Sequence, residues 1–347
     1  MVTKAKKALL ASLAAFLCVM LTVFGLSMSV SLSETAKAAD ETSAVAQVGT
    51  TTYGTLNGAI GAAAEGDTVT LLADTTEDVV INKNITLDLG KKTITGTNKS
   101  NAYSYDGKTI VSLIVAKGAN ATVKNGNIKG TAGGYTIQNN GTATFENLTA
   151  TAGNTGSSMI DNYGDLTINS GSYTGGLDTI KNESNAKLTI TGGTFTLEKG
   201  TSKGFTGVVF NYGELNISGG TFIQGDTSAP YGQAQVIHTD KSGSNAPSTI
   251  ITGGSFTNKS TTTTAWTVRQ TNAATGCTEV KGGTFNKKVS ASYLADSYTQ
   301  VKNADGMYST DQYVAKIGTT GYKTLAEAII EANGSATTKM ITLLQDV

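Results

Sequence analysis

Near-identical short segments recur in the middle of the chain, and this repetition constrains the fold more than any other feature of the sequence. The clearest copies read LTITGGTF at 188–195, LNISGGTF at 215–222 and IITGGSF at 250–256. Weaker copies end at Ile128, Leu148, Tyr173 and Phe285. Successive copies end 20 to 34 residues apart. A repeat of this period is typical of a solenoid, in which each unit packs only on its neighbours.

Each copy combines a short strand with a sharp turn. Leu188 and Ile190 alternate with threonines, which is the period-two pattern of a strand. The pair Gly192-Gly193 allows backbone angles that other residues avoid, so the chain can turn there before Phe195 points back inside. A single unit has too few apolar residues to bury alone. Stacked units are therefore expected to share one continuous core.

A second strand precedes four of the copies and carries an asparagine two positions after an apolar residue. These asparagines are Asn139, Asn162, Asn182 and Asn211. Because asparagine tolerates the left-handed conformation and forms hydrogen bonds in turns, we expect them to stack in a column at one corner. The column should end where Thr239 takes the equivalent position.

The sequence therefore predicts an all-β protein, a parallel β-helix with two or three short strands in each coil. Stretches between the copies show no helical periodicity, and the copies lie too close together for propeller blades of about 40 residues. On these repeats, residues 45–310 resemble the right-handed parallel β-helix of the pectate-lyase-like superfamily, and especially its non-catalytic bacterial surface proteins. The shared motifs are structural, so they indicate fold far better than function.

The first 38 residues resemble a secretory signal of the length found in Gram-positive bacteria. Lysines within residues 4–7 precede an apolar run over residues 8–30, and Ala36 and Ala38 form a small-residue cleavage site. The apolar run is also long enough to cross a bilayer, so an uncleaved membrane anchor is the alternative interpretation.

The remaining chain has the composition of a mildly acidic extracellular protein. Cleavage after Ala38 removes four of the 26 basic residues and one of the 26 acidic residues, which leaves a net charge of −3. Such a balance provides no basic footprint for nucleic acid. Cys277 is the only cysteine after residue 38, so stability must come from the stacked core rather than from an internal disulfide.

A short amphipathic helix is predicted before the first coil. Leu56, Ala59, Ile60 and Ala63 share one face at helical spacing. We expect this helix to cover the open N-terminal end of the core and to block edge-to-edge association.

The opening of the module recurs near the end of the chain. Residues 314–347 repeat it with Ile329 at the place of Ile60, and Thr324 and Glu327 add a capping box. The predicted domains are the signal peptide at 1–38, a β-helix module at 39–310, and the start of a second, truncated module at 311–347. A C-terminal cap on the first module is the alternative for the last segment.

The acidic residues of the repeats are scattered. They are Asp161, Asp165, Asp178, Glu183, Glu198, Glu214 and Asp226. Lyases and hydrolases on this fold instead use clustered carboxylates, in some cases with a Ca²⁺ site and a basic residue. Asp165 and Glu214 hold equivalent positions two coils apart, but no acid lies at the matching position between them. We interpret these acids as solvated turn positions and assign no catalytic residue.

Several other reactive residues have plain interpretations. Arg269 and His238 occupy the outward-facing position of Asp161, and we interpret His238 as a surface histidine. The pairs Asp106-Gly107 and Asp305-Gly306 predict turns rather than calcium loops, because acids at alternating spacing are missing from both. Cys277 is interpreted as an incidental thiol, and no cofactor or metal is expected.

Aromatic residues are the best candidates for ligand contacts. The four selected are Tyr103, Tyr105, Tyr231 and Trp266. The tyrosines fall in predicted exposed loops at 97–108 and 224–235, where rings can stack on sugars. Trp266 lies two positions before the inward-facing Val268, so strand alternation would turn both to the same side. Core packing of Trp266 is therefore the favoured interpretation, and a flat surface for sugar binding is the alternative.

Together these features predict a secreted or cell-surface stalk or adhesin-like module that binds glycans without catalysing a reaction. Expected partners are host or plant glycans or surface proteins, but not nucleic acid. Membrane contact is expected only through the signal segment or through an anchor beyond the end of the chain. The alternative is a polysaccharide lyase or glycoside hydrolase on the same scaffold in the same extracellular location.

Overall fold

Alternating apolar and polar residues build short strands that stack in parallel, coil on coil, as a β-helix. The computed structural model describes residues 44–198, 204–225, 232–262 and 265–346. The predicted signal segment and Tyr231 lie outside the described residues. Within those ranges, no helix has the length and apolar character needed to cross a membrane.

The coils present three faces. The first face consists of β3 (Thr68–Leu71), β6 (Ile85–Asp88), β9 (Asn120–Lys129), β11 (Thr142–Thr151), β13 (Asp165–Ile168), β16 (Lys187–Ile190), β19 (Glu214–Ile217), β22 (Ser248–Ile251) and β25 (Thr278–Val280). The second face takes the later halves of β9 and β11 together with β4 (Thr75–Thr76), β7 (Thr93–Thr95), β14 (Gly171–Thr174), β17 (Thr194–Leu197), β20 (Thr221–Gln224), β23 (Ser255–Asn258) and β26 (Thr284–Phe285). The third face is a separate sheet of β5 (Val79–Ile81), β8 (Val111–Val115), β10 (Tyr135–Asn139), β12 (Ile160–Asn162), β15 (Ile180–Asn182), β18 (Gly204–Asn211), β21 (Gly232–Asp240) and β24 (Val268–Thr271).

Antiparallel elements precede and follow the coils. On the N-terminal side these are β1 (Ala46–Val48), β2 (Thr51–Tyr53) and α1 (Leu56–Ala62). On the C-terminal side these are a 3₁₀ turn (Ala291–Tyr293), β27 (Tyr298–Lys302), β28 (Tyr308–Gln312), β29 (Ala315–Ile317), β30 (Thr320–Tyr322), α2 (Leu325–Asn333) and β31 (Ile341–Leu343). The helix expected from the spacing of Leu56, Ala59 and Ile60 thus forms, and it buries those three side chains in the common core.

The repeated segments stack in register, so equivalent residues form columns through the core. Leu188 lies beside Leu215, and Ile190 beside Ile217. An aromatic column consists of Tyr173, Phe195, Phe222, Phe256 and Phe285, with successive ring centroids 4.8 to 5.0 Å apart and the rings nearly parallel. Each such contact adds about 0.5–1.5 kcal/mol beyond the apolar area it buries.

Two details of the repeat follow from this register. Gly193 adopts a φ of +101°, and a Cβ on Gly192 would lie 2.5 Å from the carbonyl oxygen of Asn169, so the glycine pair is required on both counts. In the third clear copy, Thr249 rather than Ile250 takes the inward position, because Thr249 pairs with Leu215. Ile251 pairs with Ile217 in the core, and Ile250 points outward.

The predicted asparagine column forms, but for a different physical reason. Asn139 donates to Asn162, Asn162 to Asn182 and Asn182 to Asn211, with Nδ2 to Oδ1 distances of 2.7–2.8 Å. All four side chains are fully buried, and none of the four adopts a positive φ. The column ends on Thr249, whose hydroxyl accepts from Asn211 at 2.9 Å. A chain of buried amide hydrogen bonds, rather than left-handed backbone, explains these asparagines.

Replacing Asn182 with alanine should lower the free energy of unfolding by about 2 kcal/mol, because buried hydrogen-bonding groups of Asn162 and Asn211 would each lose a partner. Chemical denaturation followed by far-UV circular dichroism measures the change. Asn216, whose amide donates to the exposed carboxylate of Glu214, supplies the control, and Asn216→Ala should change stability by less than about 0.5 kcal/mol. Equal effects of the two substitutions would contradict a structural role for the column.

Candidate ligand-binding surface

The outer side of the third face carries an unusual row of polar and aromatic residues. Strand register places Gln138, Asp161, Lys181, Phe210, His238 and Arg269 side by side in successive coils. Their neighbours Ile160, Ile180 and Val209 point into the core. The outward position predicted for Arg269 and His238 is therefore confirmed. We call this row, with Val80 and Ile114 in the preceding coils, the outer row.

A second row runs beside the outer row. Each residue of this second row directly follows a column asparagine, and the row consists of Asn140, Tyr163, Glu183 and Tyr212. The backbone N–H groups of Tyr163, Glu183 and Tyr212 donate to carbonyl oxygens of the preceding coil. Tyr163 and Glu183 lie against Asp161, whereas Phe210 and Thr271 lie against His238. Both outer-row residues are therefore 0 % exposed although they point away from the core.

The interpretation of His238 as a surface histidine is wrong. Its ring packs against Phe210 at a centroid distance of 4.4 Å, and Nε2 lies 2.8 Å from the hydroxyl oxygen of Thr271. Burial lowers the pKa of His238 to about 4, so the ring is neutral at physiological pH. The alternation of residues along a strand reveals which side chains point to the core, but it does not reveal what covers the outer surface of the sheet.

Asp161 lies at the centre of the outer row in an unusual environment. Neither carboxylate oxygen has a hydrogen-bond partner within 3.5 Å among the described residues, although Tyr135, Tyr163 and Glu183 are close enough to act on it. Burial and, after it, the negative charge of Glu183 raise the pKa of Asp161 to about 7 against the opposing effect of Lys181.

Glu183 and Lys181 complete this acidic cluster. They form an ion pair, and the Lys181 ammonium also lies 5.7 Å from the centroid of the Tyr212 ring. Asp161 and Glu183 are far apart in the sequence, and the sequence analysis did not place them together. The asparagine column could have revealed their proximity. When Asn162 is aligned with Asn182, Asp161 and Glu183 fall in adjacent rows of successive coils.

Two candidate aromatic residues lie on a loop that crosses the outer face. Tyr105 stacks on Tyr163 with centroids 4.0 Å apart and remains 69 % exposed, whereas Tyr103 is 54 % exposed. The backbone N–H of Tyr105 donates to Oε1 of Gln138 at 2.7 Å, which attaches the loop to the outer row. The exposed loop predicted over residues 97–108 is thus anchored rather than free.

A groove of about 390 Å³ opens beside this loop. Tyr103 lines it together with Asn57 of α1, Val80 of β5 and Asp78, which directly precedes β5. Val80 belongs to the outer row, so the groove and the Tyr105–Tyr163 stack lie on the same face of the β-helix. An aromatic ring beside amide and carboxylate groups is a combination suited to a ligand with both apolar and hydroxyl surfaces.

The prediction that Trp266 packs in the core is wrong. Its side chain is 45 % exposed, while its backbone N–H donates to Oε1 of Gln235 and its carbonyl accepts from Asn258. Strand β24 begins only at Val268, so the alternation that sets parity does not extend back to residue 266. Trp266 therefore stays a candidate contact.

Asp165 and Glu214, which hold equivalent positions two coils apart, do not form a carboxylate pair. Lys187 lies between Asp165 and Glu214 in the stack, and its ammonium is 3.1 Å from the Glu214 carboxylate. This hydrogen bond is the main reason that the pKa of Glu214 is lowered, which makes Glu214 a poor proton donor. Both side chains of this ion pair are about half exposed.

The two Asp-Gly pairs lie in turns, as the sequence predicted. Asp106 accepts from the backbone N–H groups of Lys108 and Thr109, and Asp305 accepts from that of Met307, as expected for turns. Partial burial raises the pKa of the Cys277 thiol, which suits an unreactive cysteine. Across the described part of the chain, no three acidic, histidine or cysteine side chains are grouped as metal ligands.

Comparison with known proteins gave no family model matching the chain and no significant match to a curated protein or a solved structure. The case for the outer face as a site therefore rests on its geometry.

Replacing Asp161 with asparagine should stabilise the fold more at pH 8 than at pH 5, by at least about 1 kcal/mol. The folded-state pKa of about 7 exceeds the ordinary value of about 3.9, so the fold favours the protonated acid, and this contribution is lost progressively as the pH rises from about 4 through 7. Asp178, with a pKa also raised to about 7 by burial, and His238 are present in both proteins and cancel in the difference.

Denaturation midpoints of wild type and Asp161→Asn at the two pH values measure this effect. Asp165→Asn, at an exposed strand start, is the control and should leave the midpoint nearly unchanged at both. A stabilisation by Asp161→Asn that is equal at pH 5 and pH 8 would contradict a buried, titrating carboxyl group.

Proposed function

We propose that this protein is a secreted or cell-surface module, a stalk or adhesin-like β-helix that binds glycans on its outer face without catalysing a reaction. The observation that carries this proposal is the groove beside Tyr103, which continues into the exposed Tyr105 ring on the same face. The extracellular location is inferred from the signal-like residues 1–38. The pectate-lyase-like superfamily is the proposed relationship, because its repeats resemble those of this chain.

The chemistry of the surface suits carbohydrate. A sugar ring has an apolar C–H face that packs on an aromatic ring, and hydroxyl groups that both donate and accept hydrogen bonds. Tyr103 and Tyr105 offer the rings, while Asp78 and Asn82 along the groove supply carboxylate and amide groups. Trp266 adds a third exposed ring at the opposite end of the third face.

The dimensions favour an extended chain over a single sugar. From Val80 to Arg269 the outer row crosses eight successive strands of the third face. At about 4.8 Å per strand this row is about 34 Å long. A ligand that contacts both ends must therefore be an oligosaccharide or polysaccharide.

Binding is preferred to catalysis because the unusual carboxyl group is inaccessible. Asp161 is 0 % exposed beneath the second row, so a substrate cannot reach it without displacement of the covering side chains. We infer that Asp161 and the Lys181–Glu183 pair support Tyr163 and Tyr105 from below.

Glycoside hydrolysis is the second candidate function, and one observation favours it. Asp161 combines a raised pKa with a neighbouring carboxylate, the arrangement in which one acid donates a proton and the other acts on the sugar. Movement of the loop carrying Tyr105 would be required to admit the substrate.

Alanine at Tyr103 or Tyr105 should weaken binding to a glycan ligand by about 2- to 10-fold each, since each removes one stacking contact. A screen of host and plant glycans identifies the ligand, and titration calorimetry with the purified chain measures the affinities. Tyr298→Ala, at a partly exposed tyrosine on the C-terminal hairpin, should leave the affinity unchanged. Binding that neither Tyr103→Ala nor Tyr105→Ala weakens would place the glycan site elsewhere.

Incubation with pectins and with host and plant glycans, with and without Ca²⁺, should release no new reducing ends or unsaturated products. This result is expected because the Asp161 carboxyl group is covered. Turnover that disappears in Asp161→Asn and Glu183→Gln, but persists in Asp165→Asn, would replace binding by hydrolysis as the function.

A further inference from the structure

The segment that follows the C-terminal hairpin repeats the N-terminal unit in three dimensions. Strand β29 pairs antiparallel with both β30 and β31, just as β1 pairs with both β2 and β3. Ala315 lies opposite Tyr322 and Leu343, and its counterpart Ala46 lies opposite Tyr53 and Leu71. Each unit also carries a helix whose N-cap is a threonine.

The two units differ in what covers their apolar face. In the first unit Ile60 is 2 % exposed and Leu71 is 1 % exposed. Their counterparts Ile329 and Leu343 are 43 % and 50 % exposed. The same fold with the same apolar positions therefore presents an uncovered face near residue 330. Exposed apolar groups of this kind commonly mark an interaction surface.

The first unit shows which partner this face accepts. Strand β6 pairs in parallel with the free edge of β3, with Val69 opposite Leu87. Val79, Ile81 and Leu87 of the same coil join Leu56, Ile60 and Leu71 in the common core. The face is thus covered by one coil of β-helix that begins directly after β3.

Polar contacts from that coil complete the fit to α1. Glu77 accepts from the backbone N–H groups of Leu56 and Asn57 at the start of the helix. Lys83 donates to the carbonyl oxygens of Gly61 and Ala63 at its end, at 2.6 and 2.7 Å. A coil in this position therefore satisfies both ends of the helix as well as its apolar side.

We propose that residues 314–346 are the initiating unit of a second β-helix, and that their apolar face receives a coil from polypeptide beyond Val347. The coil would resemble residues 75–95, with a strand of alternating apolar residues paired in parallel with β31. Among the described residues, β31 has a ladder partner only in β29, so one edge is open to such a strand. This inference is independent of the glycan-binding proposal.

The coils of another copy are a poorer fit to this face. In each copy the strands of the first face from β6 to β22 already pair in parallel on both sides, so they offer no edge to β31. Association of copies through residues 314–346 is thus an outcome for the experiment to detect rather than the proposal.

Extending the full chain tests the proposal. Residues 76–312 are appended after Val347, which stands at the position equivalent to Thr75, so that a known coil follows β31 in the native order. Hydrogen exchange of the amides in residues 325–333 should slow by at least about tenfold relative to the unextended chain, because the helix gains a covered face. The same rates in both chains would overturn the proposal.

Two adjacent isoleucines provide a matched pair of variants. Ile329 corresponds to the buried Ile60, whereas Ile330 corresponds to Gly61 and is 71 % exposed. In the extended chain, Ile329→Asp should abolish the new protection, and Ile330→Asp should retain it. Equal effects of the two would contradict the predicted packing.

Sedimentation of the unextended chain tests whether a second copy of the chain occupies the apolar face instead. The proposal expects a monomer at micromolar concentration. A dimer that Ile329→Asp dissociates, while Ile330→Asp does not, would show instead that the face joins two copies of the chain.

Discussion

The structure depends on the backbone hydrogen bonds between successive coils, which hold the strands in parallel and in register. Parallel pairing places each residue beside the equivalent residue of the next coil, so a repeated sequence becomes a set of columns. Identical apolar residues then stack into a continuous core, and identical asparagines form a chain of buried hydrogen bonds. A one-residue slip would turn every core residue outward, so the glycine turns and the asparagine column, which specify the register, are as important as the apolar residues.

The same constraint explains the outer face. Residues that point away from the core are also stacked in rows, but their identities are not repeated. Asp161, Lys181 and His238 are therefore held in one row by strands whose alternate residues pack in the core. Neighbouring side chains, such as Tyr163 beside Asp161 and Phe210 beside His238, cover them and remove water. Burial is the main reason that the pKa of Asp161 rises and that of His238 falls.

The two helix-containing units show how strongly the burial of a local structure depends on a neighbouring coil. Their strand pairing and register agree, and α2 has the stronger cap of its own, a reciprocal bond between Thr324 and Glu327. Nevertheless Ile60 is buried and Ile329 is not. Local sequence is sufficient to form the unit, whereas its apolar face is buried only where a coil packs against it.

The sequence by itself determined the β-helix, the inward positions of most repeats, the asparagine column and the helix at residues 56–62, because these features depend on periodicity and on residues close together along the chain. It also identified the exposed Tyr103 and Tyr105, since loop residues lack a periodic pattern. Only the tertiary structure brought Asp161 next to Glu183, buried His238 and exposed Trp266. Those outcomes depend on which side chains of other coils and loops lie above the outer surface, and that arrangement is set by the three-dimensional path of the chain rather than by any local pattern.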